Sequence, residues 1–243
     1  MGMQPLLYSD LVSWYDLLDP AADHREEAEC FQRAFERVVT PAARTLLELG
    51  SGAGHNALHL KRRFRCALSD ISEPMLTLSR TLNPECEHVL ADLRTLRLGR
   101  CFDAVLLHDA VTYMTSEADL LAAARSAFVH TRPGGAAIVT PDCVRETFHD
   151  QTELLAETQG TRALRGLMWS WDPNPNDDTY AVEFGLLVRN GDEVKAFHET
   201  HVQGLFSRDT WFRTFSSVGY QVESMPRPIG EGEFDEVLLC RRP

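Results

Sequence analysis

Apolar runs with a polar residue at or near their carboxyl ends recur through the middle of the chain. They lie at residues 46–49, 66–70, 88–93, 102–108 and 136–142. An apolar run without polar alternation predicts a strand that is buried on both faces, as in a parallel sheet. Helical patterns with short connections separate the runs, including two that Ser72 and Ser116 are expected to cap. Residues 40–142 therefore predict an α/β fold, in which helices cover both faces of a mostly parallel sheet.

The segments on either side of this region have other patterns. Residues 1–39 predict helices, with Asp23 as the expected cap of the second one. The stretch from Trp169 to Asp178 is turn-rich, and Asn190-Gly191 between two β-rich runs predicts an antiparallel hairpin. Ser207 is expected to cap a helix, which two further strands follow. We therefore divide the chain into residues 1–39, 40–142, 143–206 and 207–243.

Three glycines at alternate positions follow the first apolar run, in the stretch from Glu48 to Gly54. Glycine adopts backbone angles closed to other residues, and without a side chain it lets a ligand approach the main chain. The next helix begins there with free N–H groups, a geometry that Rossmann-like folds use to hold nucleotides. About twenty residues later, Asp70 ends the second run, where a carboxylate can accept hydrogen bonds from both hydroxyls of a ribose.

The glycine spacing distinguishes between cofactors. The dinucleotide fingerprint requires a glycine at position 55, where this chain has His55. The stretch from Glu48 to Gly54 instead resembles motif I of the class I S-adenosylmethionine-dependent methyltransferases, and this resemblance covers most of the chain. It implies a Rossmann-like seven-stranded sheet and S-adenosylmethionine as the cofactor. The implied cofactor contacts are Tyr8, Glu48, Gly50, Ser51, Gly52, Gly54, Asp70, Ile71, Met75, Asp92, Leu93 and His108.

The resemblance also implies a role for several of these residues. In the family the glycine loop passes under the methionine end of the cofactor, and the acid after the second strand, Asp70 here, binds the ribose. Ile71 and Met75 match positions that cover the adenine ring. Asp92 and Leu93 match positions at the edge of that ring.

The remaining segments resemble the parts of this family that hold the substrate. The stretch from Tyr8 to Asp16 resembles a helical lid, and residues 143–206 resemble, more weakly, the antiparallel insert of sugar-amine N-methyltransferases. That insert walls the substrate pocket and helps pair subunits, so a homodimer is our hypothesis. The implied reaction is N- or O-methylation of a small-molecule acceptor by in-line displacement. Candidate catalytic residues are His108, Asp109 and His201 as proton acceptors, with Tyr15 and Tyr113 for orientation.

Composition limits the expected partners. The net charge of −12 over 243 residues opposes binding to the phosphates of nucleic acids. The six cysteines form no Cys-x-x-Cys pair, and no spacing of cysteine and histidine matches a zinc site. We therefore expect reduced thiols and no metal. In the absence of a signal peptide or a long apolar run, we expect a cytoplasmic protein that does not bind membranes.

Two other classes of function share these features. A nicotinamide-dependent oxidoreductase has the same strand, glycine turn and helix, although His55 opposes it. A non-catalytic nucleotide-binding protein would keep the glycines and Asp70 without the chemistry. The sequence also leaves open which molecule is methylated, on which atom, and which residue accepts a proton.

Overall fold

The protein contains two sheets in the computed structural model, which describes residues 5–228 and 234–243. The strands are β1 (Thr45–Leu49), β2 (Arg65–Asp70), β3 (Glu87–Leu90), β4 (Phe102–His108), β5 (Thr131–Thr140), β6 (Gln151–Gln159), β7 (Arg162–Trp171), β8 (Thr179–Asn190), β9 (Glu193–Gly204), β10 (Gln221–Pro228) and β11 (Phe234–Arg241). The α-helices are α1 (Tyr15–Leu18), α2 (Arg25–Val38), α3 (His55–Leu60), α4 (Glu73–Leu82), α5 (Glu117–His130) and α6 (Arg208–Ser217).

The larger sheet has seven strands in the order β10-β11-β5-β4-β1-β2-β3. The strands β1 to β5 pair in parallel, and β11 pairs antiparallel with both β5 and β10. The predicted Rossmann-like, mostly parallel sheet is therefore confirmed. Because parallel strands share one direction, β1, β2, β3 and β4 all end at the same edge, where such folds bind ligands.

Helices cover both faces of this sheet, as predicted. Leu46 and Leu106 are fully buried on one face, in a cluster with apolar residues of α2 and α3. Leu47 and Val105 are fully buried on the other face, in a cluster with residues of α5 and α6. Neighbouring residues of one strand point to opposite faces, so apolar runs without alternation are what this two-sided burial requires.

Three of the four expected helix caps are confirmed. The side chains of Ser72, Ser116 and Ser207 each accept a hydrogen bond from a backbone N–H three residues further on. The expected cap at Asp23 is wrong. The helix α2 begins at Arg25, and its N-cap residue is His24, which makes no capping bond with its side chain. The His24 ring turns instead to Asp19, 2.7 Å from Nε2.

The insert is a separate four-stranded antiparallel sheet in the order β6-β7-β8-β9. The predicted hairpin at Asn190-Gly191 is confirmed by the pairing of Asn190 with Glu193. Sequence patterns missed β6, and they assigned Trp169 and Trp171 to a turn-rich stretch although both lie in β7. The reason is that β6 is exposed almost throughout and β7 carries apolar residues on both faces, so neither shows the alternation of a half-buried strand.

The N-terminal segment packs on the inner face of this insert. It consists of two short 3₁₀ turns (Leu6–Tyr8 and Val12–Trp14), α1 and α2, rather than two longer helices. Leu7, Leu11 and Leu17 are buried in one cluster with inward-facing residues of β7 and β8. The segment is thus held by the insert's apolar face. No helix in residues 5–228 and 234–243 is long and apolar enough to cross a membrane.

Candidate active site

A cavity of about 290 Å³ opens at the carboxyl edge of β1, β2 and β4, beneath the N-terminal segment. Most of the residues predicted from sequence line it: Tyr8, Tyr15, Glu48, Gly50, Ser51, Gly52, Asp70, Ile71, Met75, Asp92, Leu93, His108, Asp109 and Tyr113. Gly54 and His201 are not part of the lining. The structure therefore brings together residues that are separated by up to about a hundred positions in the chain.

The three glycines of the turn have different surroundings. A Cβ at Gly50 would lie 2.1 Å from Cβ of Ala110, whereas a Cβ at Gly52 would meet only Met75, at 3.4 Å. A Cβ at Gly54 would lie 2.4 Å from Oγ of Ser79, so this glycine serves packing between α3 and α4. All three have positive φ. The bare backbone of Gly52 is thus the part of the turn that is open to a ligand.

Asp70 lies at the end of β2 and holds the turn in place. Its carboxylate accepts hydrogen bonds from the backbone N–H groups of Gly52 and Ser72, each at 2.8 Å. Burial raises the pKa of Asp70, and the bonds from Ser72 and Gly52 act against this rise. Met75 is buried under the cavity, whereas Ile71 is 61% exposed at its rim. An exposed isoleucine beside a cavity is suited to cover the apolar face of a ligand.

Two of the buried polar atoms that lack a hydrogen-bond partner in the described structure belong to Glu48 and to the glycine turn. They are Oε2 of Glu48, a residue only 2% exposed, and Oγ of Ser51. Burial raises the pKa of Glu48 to about 8. A buried polar atom without a partner costs free energy unless a ligand supplies one. These atoms, the open Gly52 backbone and Asp70 fit a cofactor that carries hydrogen-bond donors and a ribose.

At the opposite end of the cavity, Arg94 pairs with two carboxylates. Its Nη2 lies 2.6 Å from Oδ2 of Asp92, and its Nη1 lies 2.8 Å from Oδ1 of Asp119. The hydrogen bonds from Arg94 lower the pKa of Asp92. The predicted adenine contact, Asp92, is therefore an ionised carboxylate that already shares its oxygens with an arginine. Arg94 was not predicted, although it follows Asp92 by only two residues.

Asp19, which sequence reasoning missed, meets two histidines beside the glycine turn. Asp19 lies between two histidines, 2.7 Å from Nε2 of His24 and 3.3 Å from Nδ1 of His55. Burial opposes a charge on His24, but its bonds to Asp19 and Glu27 raise its pKa to about 10. His24 is thus a cation beside the cavity. Nothing in the local sequence marks this group, because it forms only when α2 and α3 pack together.

The same three residues, Asp19, His24 and His55, each offer a ligand atom within 4.8 Å of the others. That spacing is compatible with a metal ion, which the sequence patterns did not lead us to expect. A metal ligand must be a neutral imidazole, however, whereas His24 holds its proton against two carboxylates. We therefore interpret this group as an ion-paired cluster.

His108 ends β4 and is held by polar groups at both ring nitrogens. Its Nε2 lies 2.8 Å from Oε1 of Glu27 and 3.0 Å from Oδ1 of Asp109, and its Nδ1 lies 3.3 Å from the amide nitrogen of Asn56. Asp109 follows with φ 49° and ψ −50°, a conformation that is strained for a residue with a side chain. Such strain is concentrated at functional sites.

A chain of hydrogen bonds leads from the cavity to the insert. The Tyr8 hydroxyl lies 2.8 Å from the Tyr113 hydroxyl, which lies 2.7 Å from Nδ1 of His201. We call these three residues the tyrosine–histidine chain. His201 is only 3% exposed, and burial lowers its pKa. Oε2 of Glu199 lies 3.4 Å from the other ring nitrogen, Nε2, and its negative charge favours the tautomer with the proton on Nε2, in which Nδ1 can accept a hydrogen bond from the Tyr113 hydroxyl.

The chain is similar in sequence to known methyltransferases. A methyltransferase domain model matches residues 46–135. The chain is 30% identical over 203 residues to the dTDP-3-amino-3,4,6-trideoxy-alpha-D-glucopyranose N,N-dimethyltransferase of Streptomyces venezuelae, covering 82% of this chain and 84% of that protein. It is 29% identical over 242 residues to the dTDP-3-amino-3,6-dideoxy-alpha-D-glucopyranose N,N-dimethyltransferase of Streptomyces fradiae. This match covers 96% of this chain and 92% of that protein.

A solved structure extends the likeness to the fold. The crystal structure of DesVI from Streptomyces venezuelae matches with a TM-score of 0.82 and 26% identity, over 96% of this chain and 99% of that one. Neither the oxidoreductase nor the non-catalytic alternative gains support from these comparisons. The glycine turn, Asp70 and these relatives lead to one conclusion: the chain belongs to the class I S-adenosylmethionine-dependent methyltransferases, and it is an enzyme that methylates a small-molecule acceptor.

Proposed function

We propose that this enzyme methylates an amine nitrogen of a sugar-like small molecule. The observation that carries the proposal is the tyrosine–histidine chain, which connects the cavity to a buried imidazole whose pKa is lowered by burial. An amine attacks only with a free lone pair, so its methylation needs a group that takes up a proton. The two curated relatives are named as N,N-dimethyltransferases of amino sugars, which supports nitrogen as the methylated atom.

The cofactor end of the cavity is assigned by the same reasoning. Asp70 binds the ribose hydroxyls, and Glu48 and Ser51 meet the methionine end beside the Gly50 and Gly52 backbone. Ile71 and Met75 cover the adenine, and Asp92 and Leu93 contact its edge. Tyr8 and His108 complete the cofactor contacts. Gly54 supports the turn by packing against α4. When bound, S-adenosylmethionine supplies an electrophilic methyl group on a sulfonium sulfur. The protein's own contribution is then to hold, orient and desolvate the acceptor.

Among the three candidate proton acceptors, we assign the role to His201. Tyr8 and Tyr113 line the cavity, and Nδ1 of His201 is placed to accept the Tyr113 proton as that hydroxyl accepts one from the amine. His201 contacts a tyrosine hydroxyl that can pass on a proton, whereas His108 contacts two carboxylates and an amide, so we assign His108 and Asp109 to positioning. Tyr15 orients the acceptor from the N-terminal segment.

The test compares an amino sugar with the matched sugar that carries a hydroxyl at the same carbon. Each is incubated with S-adenosylmethionine, and the methylated product is identified by mass spectrometry and its position by NMR. We expect methyl transfer to the amine alone. The variant His201→Gln should reduce kcat by about 100-fold, the usual effect of losing a proton acceptor. Equal transfer to the hydroxyl sugar, or full activity of the variant, would contradict the proposal.

We also propose that two copies pair through the outward face of the insert. Cross-strand partners share a face, and this face exposes several large apolar side chains. They are Leu154, Leu167, Trp169, Leu187, Val194 and Val202, each between 39% and 82% exposed. Trp169 stacks on Trp171 with ring centroids 5.2 Å apart. Large apolar side chains exposed on one face of a sheet are typical of a protein–protein interface.

The net charge of −12 supports a small molecule rather than a nucleic acid as the acceptor.

A further inference from the structure

Gln203 is a buried amide that contacts the middle residue of the tyrosine–histidine chain. It follows His201 by two positions in β9, so both side chains point to the inward face of the insert. There the side chain of Gln203 hydrogen-bonds to that of Tyr113. Because a buried amide is stable only when its oxygen and its NH2 group have partners, a second partner decides which of the two groups faces Tyr113.

Tyr180 fixes the orientation of this amide. It lies directly opposite Gln203 in the pairing of β8 with β9, and it is buried as well. Its hydroxyl donates a hydrogen bond to Oε1 of Gln203. An amide oxygen accepts hydrogen bonds, whereas an amide NH2 group donates them. With its oxygen bound to Tyr180, Gln203 therefore offers an N–H to the oxygen of Tyr113.

This N–H leaves one direction for the proton of Tyr113. A phenol has a single O–H to donate, while its oxygen can also accept hydrogen bonds. Because Gln203 donates to the oxygen, the Tyr113 proton is directed to Nδ1 of His201, 2.7 Å away. The Tyr8 hydroxyl, 2.8 Å from the same oxygen, then donates to it as well. The bonds of the chain thus all run from the cavity toward the imidazole.

The same N–H helps Tyr113 to pass a proton on. Burial raises the pKa of Tyr113, and the negative charges of Asp142 and Glu199 raise it further. The bonds from Tyr8 and Gln203 act in the opposite direction, because donors stabilise negative charge on the phenol oxygen. That oxygen carries transient negative charge when its proton leaves before another arrives. A donor fixed at this point lowers the barrier, as in an oxyanion hole.

We infer that Gln203 is a positioning residue that directs the Tyr113 proton to His201. This inference rests on the proposed function, because the path that it orients is the one by which the amine loses a proton. Gln203 lies outside the cavity lining of the described residues, so it acts through Tyr113 and not on the acceptor. Tyr180 supports this role by holding the amide oxygen away from the Tyr113 hydroxyl.

The proton balance of the step follows from these contacts. The ammonium form of the acceptor loses one proton to the chain, which frees the lone pair that attacks the methyl group. The O–H bond of Tyr113 breaks as an N–H bond forms at Nδ1 of His201, and the Tyr113 oxygen takes up the arriving proton. The imidazolium that results is stabilised by the carboxylate of Glu199, 3.4 Å from its Nε2.

The first test replaces Gln203 with methionine, which keeps the length of the side chain without its hydrogen bonds. The acceptor is dTDP-3-amino-3,6-dideoxy-alpha-D-glucopyranose, the sugar in the name of one curated relative. We expect Gln203→Met to lower kcat about tenfold, because the Tyr113 oxygen loses a donor. KM for the sugar and the Kd of S-adenosylhomocysteine should not change, since Gln203 lies outside the lining.

A second pair of variants separates the orientation of the amide from packing. Tyr180→Phe keeps Gln203 but frees its amide to turn, so we expect a smaller loss of kcat, with KM again unchanged. Tyr220→Phe is the matched control, since Tyr220 is also buried and its hydroxyl bonds to Thr131 in the core. This control should keep the kcat of the wild type.

The pKa of His201 provides a readout that needs no acceptor. The Tyr113 hydroxyl donates to the neutral imidazole, and a weaker donor stabilises that neutral form less, so Gln203→Met should raise the pKa. An NMR titration of the S-adenosylhomocysteine-bound enzyme measures this rise, and the acidic limb of kcat should move to higher pH with it. Tyr8 and Glu199, the other titratable residues that contact His201 among those described, stay unchanged in the variant.

Two kinds of failure are distinguishable in these experiments. Wild-type kcat in Gln203→Met, or an unchanged pKa of His201, would overturn this inference and leave amine methylation standing. Equal losses of kcat in Tyr180→Phe and Tyr220→Phe would overturn it in the same way. A wild type that methylates no amino sugar would overturn the proposed function, while the pKa of His201 would still decide whether Gln203 directs the Tyr113 proton.

Discussion

At the scale of single residues, the site is marked by groups that would be unfavourable anywhere else. Glu48 is a buried carboxyl with one oxygen lacking a partner, and Asp109 has a strained backbone. Gly50 leaves no room for a side chain, because a Cβ there would overlap Ala110. Each feature costs stability in the protein without its ligand, and each suits a function in ligand binding. Glu48 and Gly50 each give a prediction about one substitution.

Glu48→Gln should stabilise the protein in a pH-dependent way. The pKa of Glu48 is raised by burial to about 8 in the folded state, above the value of 4.5 for an unperturbed glutamate. The folded state keeps this proton while the unfolded state loses it, so the stabilisation is complete below pH 4.5 and is lost as pH rises to about 8. The Tm of the variant minus that of the wild type should therefore increase from pH 5 to pH 8 and level off above. A constant difference would contradict the buried, unpaired carboxyl.

Gly50→Ala should be far more damaging than an alanine at another glycine with positive φ. The added Cβ would lie 2.1 Å from that of Ala110, so overlap adds to backbone strain, and we expect a loss of about 3 kcal/mol or more. Gly191→Ala is the matched control, since Gly191 has φ 59° and no atom near the added Cβ. It should cost only about 1 kcal/mol. Urea unfolding of both variants measures the difference.

At the scale of elements, β9 joins three parts of the protein. Its inward face carries Glu199 and His201, while His198 and Thr200 on the outward face bond to Glu183. Glu199 accepts hydrogen bonds from the backbone N–H groups of Leu6 and Leu7. His201 bonds to Tyr113 in the core. One strand thus fixes the N-terminal segment and one end of the tyrosine–histidine chain, so changes on its two faces should have different effects.

Glu199→Gln should loosen the N-terminal segment while leaving the insert folded. The amide can offer one oxygen where the carboxylate offers two, so one of the two N–H groups at residues 6 and 7 loses its acceptor. We expect amide hydrogen exchange at these two positions to accelerate about tenfold, which corresponds to one lost hydrogen bond. Glu183→Gln, on the outward face, is the control and should leave their exchange unchanged. Equal exchange in both variants would show that apolar packing alone holds the segment.

At the scale of the whole molecule, the two faces of the insert differ in how they are covered. Its inner face buries the leucines of the N-terminal segment, and its outer face leaves large apolar side chains exposed. Apolar side chains on both faces of a sheet are stabilised by burial, and within the described chain the inner face is the one that is buried. The net charge of −12 opposes the binding of polyanions such as nucleic acids to the whole molecule.

Trp169→Glu should convert the proposed dimer to a monomer. A charge in the centre of the outer apolar face would lose its hydration in the interface without gaining a partner. Sedimentation velocity at micromolar concentration should show a dimer for the wild type and a monomer for the variant. Val129→Glu, at an exposed apolar residue of α5, is the control and should remain dimeric. A wild type that sediments as a monomer would rule out this interface.

The sequence by itself determined the cofactor half of the site. Glu48, the glycines and Asp70 belong to a strand, a turn, a helix and the next strand, so their relative positions follow from short-range geometry. The strand ends that carry Asp92 and His108 then fall at the same edge, because parallel strands share one direction. The parallel part of the sheet was predictable from its buried apolar runs, and its seven strands from the family resemblance. β6 and β7 were not predictable, since β6 is exposed almost throughout and β7 carries apolar residues on both faces, so neither shows the alternation of a half-buried strand.

Only the tertiary structure decided the acceptor half. His201 meets Tyr113 across 88 positions of sequence because the insert folds back on the core. In the same way, the packing of the N-terminal segment against α3 brings Asp19 and His24 to the cavity and Glu27 to His108. Such contacts depend on which faces pack together and leave no local pattern in the chain. The folded structure also determined that Arg94 and the lining histidines face carboxylates. Local chain geometry thus specifies the cofactor, while long-range packing selects the molecule that is methylated.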